Sequence, residues 1–405
     1  MSHTNKKVPK RRFEEFSNTD DWEQRMLGDI SNVTKLAGFE FTKYVNYSDK
    51  GKIIALRGLN VKNGNLILDE VKYIDKSDFS KLKRSKLFKG DILFTYVGTV
   101  GELAVVPEDD KYYLAPNVAS IRMNKGLDTI FISQMMNNRL FYNRVISPLI
   151  ATSSQPALSM ENVRKFALNL PQVEEQRRIG MFFKQFNNTI ALHQRKLEKI
   201  KALKTAYLSE MFPAERETKP KRRFAGFTDD WEQCKLGELA KITMGQSPEG
   251  VNYTDNPRDY VLVQGNADMQ NGHVVPRVWT KQITKTAKKG DIILSVRAPV
   301  GDVGKTNYDV VLGRGVSALE GNEFIFQLLS KMKAENYWFK YSTGSTFESI
   351  NSNEIKEAIV SVPEKQEQMK IGAFFKQLDS TITIHQRKLK KLQNIKKAYL
   401  NEMFI

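Results

Sequence analysis

"HQRKLEKIKALKTAYLSEMF" occupies residues 193–212 and "HQRKLKKLQNIKKAYLNEMF" occupies residues 385–404, with about two thirds of the positions identical. The apolar stripe of the first copy runs Phe182, Phe186, Ile190, His193, Leu197, Ile200, Leu203 or Lys204, Tyr207 and Met211. Alternating steps of three and four residues keep one helix face apolar, which is a coiled-coil seam. The spacing predicts a helix that starts past Pro171, with Glu174 and Glu175 well placed at its positive end. It should stop at Phe212, because Pro213 cannot continue it. The second copy starts past Pro363. About 40 residues at 1.5 Å rise make a rod of roughly 60 Å. Such a rod needs a partner, and the nearest is its own copy. The predicted seam sets Phe186, Ile190, His193, Leu197, Ile200, Tyr207 and Met211 against Ile382, His385, Leu389, Leu392, Tyr399 and Met403.

The repeat extends well beyond the helix. "PKRRFEEFSNTDDWEQRMLGDI" at 9–30 returns as "PKRRFAGFTDDWEQCKLGEL" at 220–239, and "KGDILFTYVGTVGE" at 89–102 as "KGDIILSVRAPVGD" at 289–302. "LAPNVASI" (114–121) matches "LGRGVSAL" (312–319), and "SSQPALSMENVRKFALNLP" (153–171) matches "STFESINSNEIKEAIVSVP" (345–363). The order never changes, so one unit of roughly 200 residues occurs twice. The middles, 31–88 and 241–288, share almost nothing. A common frame with two different inserts implies two ligands, or two versions of one ligand class. Short β-rich runs such as "DILFTYVG", "LAVVP", "DIILSVR" and "YVLVQ" read as strands. Residues 128–145 and 324–341 carry apolar residues at helical spacing. Each unit therefore reads as an α/β domain followed by a long helix. Antiparallel pairing of the helices would set the two domains at opposite ends of a rigid spacer, with a twofold relation.

The 405 residues suffice for two or three domains, and 40% hydrophobic content is ordinary for a globular chain. No run of about 18 apolar residues exists, and the first residues lack a secretory apolar core. The lone Cys234 forms no internal disulfide, which points to a reducing cytoplasm. Four scattered histidines argue against a zinc site. Lysine and arginine total 63 against 46 acids, a net charge of +17. A solvated surface explains many charges but not a one-sided excess, for which nucleic acid is the commonest reason.

No catalytic constellation emerges. "PVGDVGKT" (299–306) has Pro299 where a phosphate loop needs its first glycine, and the first unit reads "TVGELAVV" there. "GTVG" and "GDVG" read as turn glycines. "PEDDK" (107–111) reads as an acidic loop tip, since the other unit has "KTNYD" in that area. "NPRDY" (256–260) lacks the paired prolines of an amino-methyltransferase motif. His193 and His385 fit a packed interface better than catalysis. "PKRRF" heads both units, within "VPKRRF" (8–13) and "KPKRRF" (219–224), which favours a structural or phosphate-contacting role over a targeting signal. The basic helix face (Arg195, Lys196, Lys199, Lys201, Lys204) is by default solvated.

Two inserts, each with "KGDIL" or "KGDII" and a following "VG", then a serine- and threonine-rich segment leading into "EQRRIGMFFKQFNNTIALHQRKL" or its copy, resemble the specificity subunit of Type I restriction–modification enzymes. The resemblance covers about Pro9 to Ile405, although the first unit has "ATSSQPALS" where "TGST" is usual. It implies an α/β fold with two target-recognition domains separated by a long antiparallel two-helix coiled coil, pseudo-twofold symmetric. The first domain would span 1–171, the central conserved helix 172–213, the second domain 214–363 and the distal helix 364–405. The implied function is a noncatalytic DNA-recognition subunit that directs others to a bipartite target, with the coiled coil setting the spacer. The partners implied are double-stranded DNA, two methyltransferase subunits and restriction/translocase subunits. S-adenosylmethionine, ATP and Mg would sit on those partners, with no cofactor or metal on this chain. A freestanding DNA-modifying enzyme would need catalytic residues that are missing. A coiled-coil adaptor would not need two divergent inserts.

Reading base edges requires Arg, Asn, Gln, Ser or Thr on loops. In the first domain the candidates are Arg57, Asn60, Tyr96, Asn117, Ser153, Ser154 and Gln155. In the second they are Gln264, Asn266, Arg297, Arg314, Ser345 and Thr346. Lys83, Arg84, Lys86 and Lys281 are candidate phosphate contacts, which position without specifying.

Overall fold

The computed structural model describes residues 8–36, 43–151, 154–215, 217–341 and 349–405. The chain forms two compact units, one of Met1–Leu192 with Leu389–Ile405, the other of His193–Lys388. The principal helices are α1 (Thr129–Met136), α2 (Val173–Met211), α3 (Glu323–Ala334) and α4 (Lys365–Met403). The two long helices each contribute one portion to either unit.

In the first unit a four-stranded antiparallel sheet runs in the order Ser31–Lys35, Val118–Met123, Ile92–Thr95, Leu103–Val105. A three-stranded sheet lies beside it, with Ile54–Leu56 between Lys72–Tyr73 and Tyr112–Leu114. Strand Ile92–Thr95 is buried on both faces. Its period of two sends Ile92 and Phe94 into one core and Leu93 into the other. The second unit repeats this at Ile292–Ser295, with Ile292 and Leu294 in one core and Ile293 in the other. Its sheets are larger, of six and five strands. Both units contain a matching parallel strand pair, Ile54–Leu56 with Tyr112–Leu114 and Tyr260–Val263 with Val310–Leu312, and the second adds His273–Val274 parallel to Val303–Lys305.

Each main core closes on four aromatic rings. Trp22, Phe131, Phe183 and Phe404 meet in the first unit, where Phe404 lies 5.3 Å from Phe131 and 5.6 Å from Phe183. Trp231, Phe324, Phe375 and Phe212 meet in the second, where Phe212 lies 5.2 Å from Phe324 and 6.0 Å from Phe375. The phenylalanine just past each long helix is thus a core residue.

The "KRRF" repeat is structural. Arg12 donates through Nε and Nη2 to the two carboxylate oxygens of Glu175, at 2.7 and 2.6 Å, and the Glu175 side chain is fully buried. Arg223 does the same to buried Glu367, at 2.7 Å twice. The carboxylate pushes both guanidinium pKa values up, mainly through these hydrogen bonds. Phe13 packs edge-on against Phe182, and Phe224 against Phe374.

Two regions depart from the sequence pattern. The helical spacing over 128–145 and 324–341 continues past the point where the helices stop. After α1, the Asn138 side chain accepts from the Leu140 amide and donates to the Leu400 carbonyl, so a new turn starts. After α3, Asn336 takes a left-handed backbone, and only a 3-10 turn follows.

Candidate nucleic-acid interface

In the first unit, backbone hydrogen bonds gather four loops. The Tyr96 amide donates to Asn117 O (3.2 Å), Leu158 N to Tyr96 O (2.8 Å), Gly98 N to Pro156 O (2.9 Å) and Ala115 N to Leu56 O (3.1 Å). Arg57, Tyr96, Asn117, Ser154 and Gln155 therefore sit on neighbouring loops. Asn117 is exposed in a left-handed conformation, φ +71. Half-buried Tyr96 has Lys35 Nζ over its ring at 5.7 Å, and burial raises its hydroxyl pKa.

The second unit builds the same platform. Gly313 N donates to Val263 O (2.7 Å), Val296 N to Gly315 O (2.9 Å) and Ile350 N to Val296 O (3.0 Å). Gln264, Asn266, Arg297 and Arg314 are carried on the loops so joined. Arg297 and Arg314 are exposed, whereas Gln264 donates from Nε2 to the Tyr253 hydroxyl at 3.0 Å. The turn after the central strand is locked alike in both units. Thr95 Oγ1 donates to Thr99 O and accepts from Glu102 N, and Ser295 Oγ donates to Pro299 O and accepts from Asp302 N. Gly101 and Gly301 in these turns have φ +96 and +89, and a Cβ at either would strike Tyr142 or Trp338. They are turn glycines.

Asn60 corrects the sequence reading. It is fully buried, accepts from Arg57 N at 3.1 Å, and donates to Ile67 O and Glu70 O at 2.9 and 3.1 Å. An amide so engaged has no edge left for a base, and its role is to fix the turn that presents Arg57. Buried Asp268 does this in the second unit by accepting from Gln264 N at 2.7 Å. Among the basic candidates, Lys83, Arg84 and Lys281 are exposed. Lys86 is half-buried and ion-paired with Asp110 at 2.6 Å, which raises its pKa. Its charge is already compensated. Ser153, Ser345 and Thr346 lie outside the described residues.

Glu102 and Asp268 were missed by sequence reasoning, as were two matched hairpins. Val61–Lys62 pairs with Asn65–Leu66 and Met269–Gln270 with His273–Val274, each across an Asn-Gly turn with both residues at positive φ. Asn-Gly between apolar residues is the strongest short hairpin signal. It lay inside the middles that share almost nothing else.

The Type I restriction modification DNA specificity domain matches residues 19–202 and again 228–394. The chain belongs to that family. The putative type I restriction enzyme MjaX specificity subunit of Methanocaldococcus jannaschii is 25% identical over 400 residues, covering 94% of this chain and 92% of the relative. The MjaVIII specificity subunit of the same organism is 21% identical, with the same coverage. Among solved structures, the S subunit of a Type-I restriction-modification system from M. genitalium shares the fold, at TM-score 0.65 and 14% identity over 98% of this chain and 99% of that one. As a specificity subunit the chain is the DNA-recognising, noncatalytic part of a type I restriction–modification system. Among the described residues no helix is long and apolar enough to cross a membrane.

Within each unit of this specificity subunit the long helices pair antiparallel. In the first, Phe182 and Phe186 meet Tyr399 at 5.2 and 5.9 Å. In the second, Tyr207 meets Phe374 at 5.2 Å, Lys204 Nζ meets Asp379 at 2.6 Å, and the His193 and His385 rings lie 5.9 Å apart. Leu197, Met211, Leu389 and Met403 are buried, while Phe186, Ile190, His193, Ile200, Tyr207, Ile382, His385, Leu392 and Tyr399 are half-buried. Burial lowers the His193 pKa, with Lys388, His385 and Lys196 adding to it.

Proposed function

We propose that each unit reads one half of a bipartite DNA site, that the long helices set the spacer between the halves, and that two methyltransferase subunits and restriction/translocase subunits act at the site so chosen. Catalysis and the cofactors it needs, S-adenosylmethionine, ATP and Mg, belong to those partners. The observation that carries this reading is one loop platform built twice with different side chains on it. Gln264 stands where the first unit has Arg57, and Arg297 and Arg314 stand where it has Val97 and Pro116. Equal backbone with unequal hydrogen-bonding groups is what two different base sequences require. The test is methylome sequencing of a host that expresses this chain with its methyltransferase. Exchanging residues 31–150 for the insert of a relative should replace one half of the methylated motif and leave the other intact. Alteration of both halves would refute the assignment of one half to each unit.

A further inference from the structure

Beside the loop that follows Ile54–Leu56, the first unit holds a cavity of about 630 Å³ whose wall includes Arg57, Thr99, Glu102 and Asn117. Arg57 and Glu102 face this one space, yet among the described residues they form no ion pair with each other or with another charge. Arg57 donates from Nη2 to Glu70 O at 3.0 Å, and its buried Nε has no acceptor among the described residues. Glu102 accepts from Asn63 N through Oε2, and Oε1 has no donor among the described residues. A carboxylate left uncompensated at a DNA-facing loop is costly beside phosphates, unless something there donates to it. The equivalent positions of the second unit are spent otherwise. Asp302 faces Lys333 at 3.5 Å, and Gln264 is tied to Tyr253.

We propose that this cavity reads one guanine–cytosine pair in the half-site of the first unit, with Arg57 donating to guanine N7 and O6 and Glu102 Oε1 accepting from the cytosine N4 amine. Each contact is the pairing that major-groove geometry favours for that side chain. Asn63 N fixes the carboxylate from behind, and Asn60 fixes the turn that carries Arg57. Glu102 is thereby a specificity-determining residue, although an acid on a chain of net charge +17 looks unsuited to DNA.

The inference rests on the DNA-reading function proposed above, and its test separates the two. In Glu102→Gln the amide oxygen can still cap Asn63 N, so the turn is kept while a donor replaces the acceptor facing the base. Arg57→Gln installs the residue of the second unit. With the methyltransferase-bound assembly, both variants should relax the same single G·C pair in the half assigned to residues 31–150. Discrimination there should fall roughly ten- to a hundredfold, with the other half unchanged. A companion measurement leaves the protein intact: 7-deazaguanine or N4-methylcytosine at that pair should weaken binding of the parent assembly by a comparable factor. A parent half-site without a G·C pair, variants that relax different positions, or no loss with the modified bases would each overturn the cavity assignment while DNA reading stands. A parent assembly that methylates no bipartite motif would instead overturn the function itself, and this inference with it.

Discussion

At the scale of single residues, burial decides which contacts matter. Arg12 and Glu175 form a bidentate pair whose carboxylate has no exposure, so removing Arg12 strands a charge where water cannot reach it. Arg12→Ala should cost the first unit about 3–5 kcal/mol. Its neighbour Arg11 pairs with Glu402 and covers Tyr399 at the surface, where 54% of the arginine side chain is exposed. Arg11→Ala should cost about 1 kcal/mol or less. Urea unfolding followed by far-ultraviolet circular dichroism compares the two variants directly. Equal midpoints would show that the buried pair contributes no more than the exposed one. The recurrence of "KRRF" left a structural or a phosphate-contacting role open, and which arginine is buried was not legible. That depends on Glu175 lying in the first turn of a helix that packs against the same core. Asn60 was misread for a related reason. A loop asparagine that reads a base and one that closes its own turn have the same letter, and only the partners of its amide tell them apart.

At the scale of elements, the long helices were legible, the stop of the first before Pro213 included, but the part played by the residue past each end was not. Periodicity placed their start, yet nothing in a seam pattern says that Phe212 and Phe404 leave it to complete two aromatic cores. The Glu-Met-Phe ending of both copies was the available signal. The strands were legible through β-branched runs, while the hairpins were hidden because two-residue strands carry no periodicity. If the helices set the spacer, four residues inserted after Lys199, with four after Lys391 in the other copy, add about 6 Å of helix. The methylated motif should then gain about two base pairs of spacer with both halves unchanged, at 3.4 Å per step. A motif with altered bases and the old spacer would sink that role. His193 supplies a second expectation. Its pKa lies below the ordinary value near 6.5, so below that pH the unfolded chain takes up the proton more readily than the folded one. Stability of the second unit should be full above pH 6.5 and decline as pH falls toward the lowered value. Urea midpoints at pH 5.5 and 7.5 should differ less in His193→Gln than in the parent, and an unchanged difference would place the pH response elsewhere.

At the scale of the whole chain, the dominant feature is the net charge of +17. Charge neutralises phosphates without reading bases, so the parent assembly should bind DNA with log affinity falling by about 0.9 per phosphate contact for each unit of log salt. The candidate lysines sort by what already holds them. Lys83 and Lys281 have no acid partner among the described residues, whereas Lys86 is paired with Asp110. Lys83→Ala and Lys281→Ala should each flatten the salt slope by about 0.9 if they touch a phosphate, and should weaken cognate and noncognate DNA alike. Lys86→Ala should flatten the slope less, because a phosphate would first have to break the Lys86–Asp110 pair, so Lys86 neutralises little. Arg297→Ala and Arg314→Ala should behave in the opposite manner, costing about 1–3 kcal/mol chiefly on cognate DNA if each meets a guanine edge. Salt titrations of the methyltransferase-bound assembly on both DNAs separate the two classes. Equal losses on both DNAs would move the arginines from base reading to backbone positioning. A parent whose affinity ignores salt would mean that the basic excess serves some other purpose than DNA.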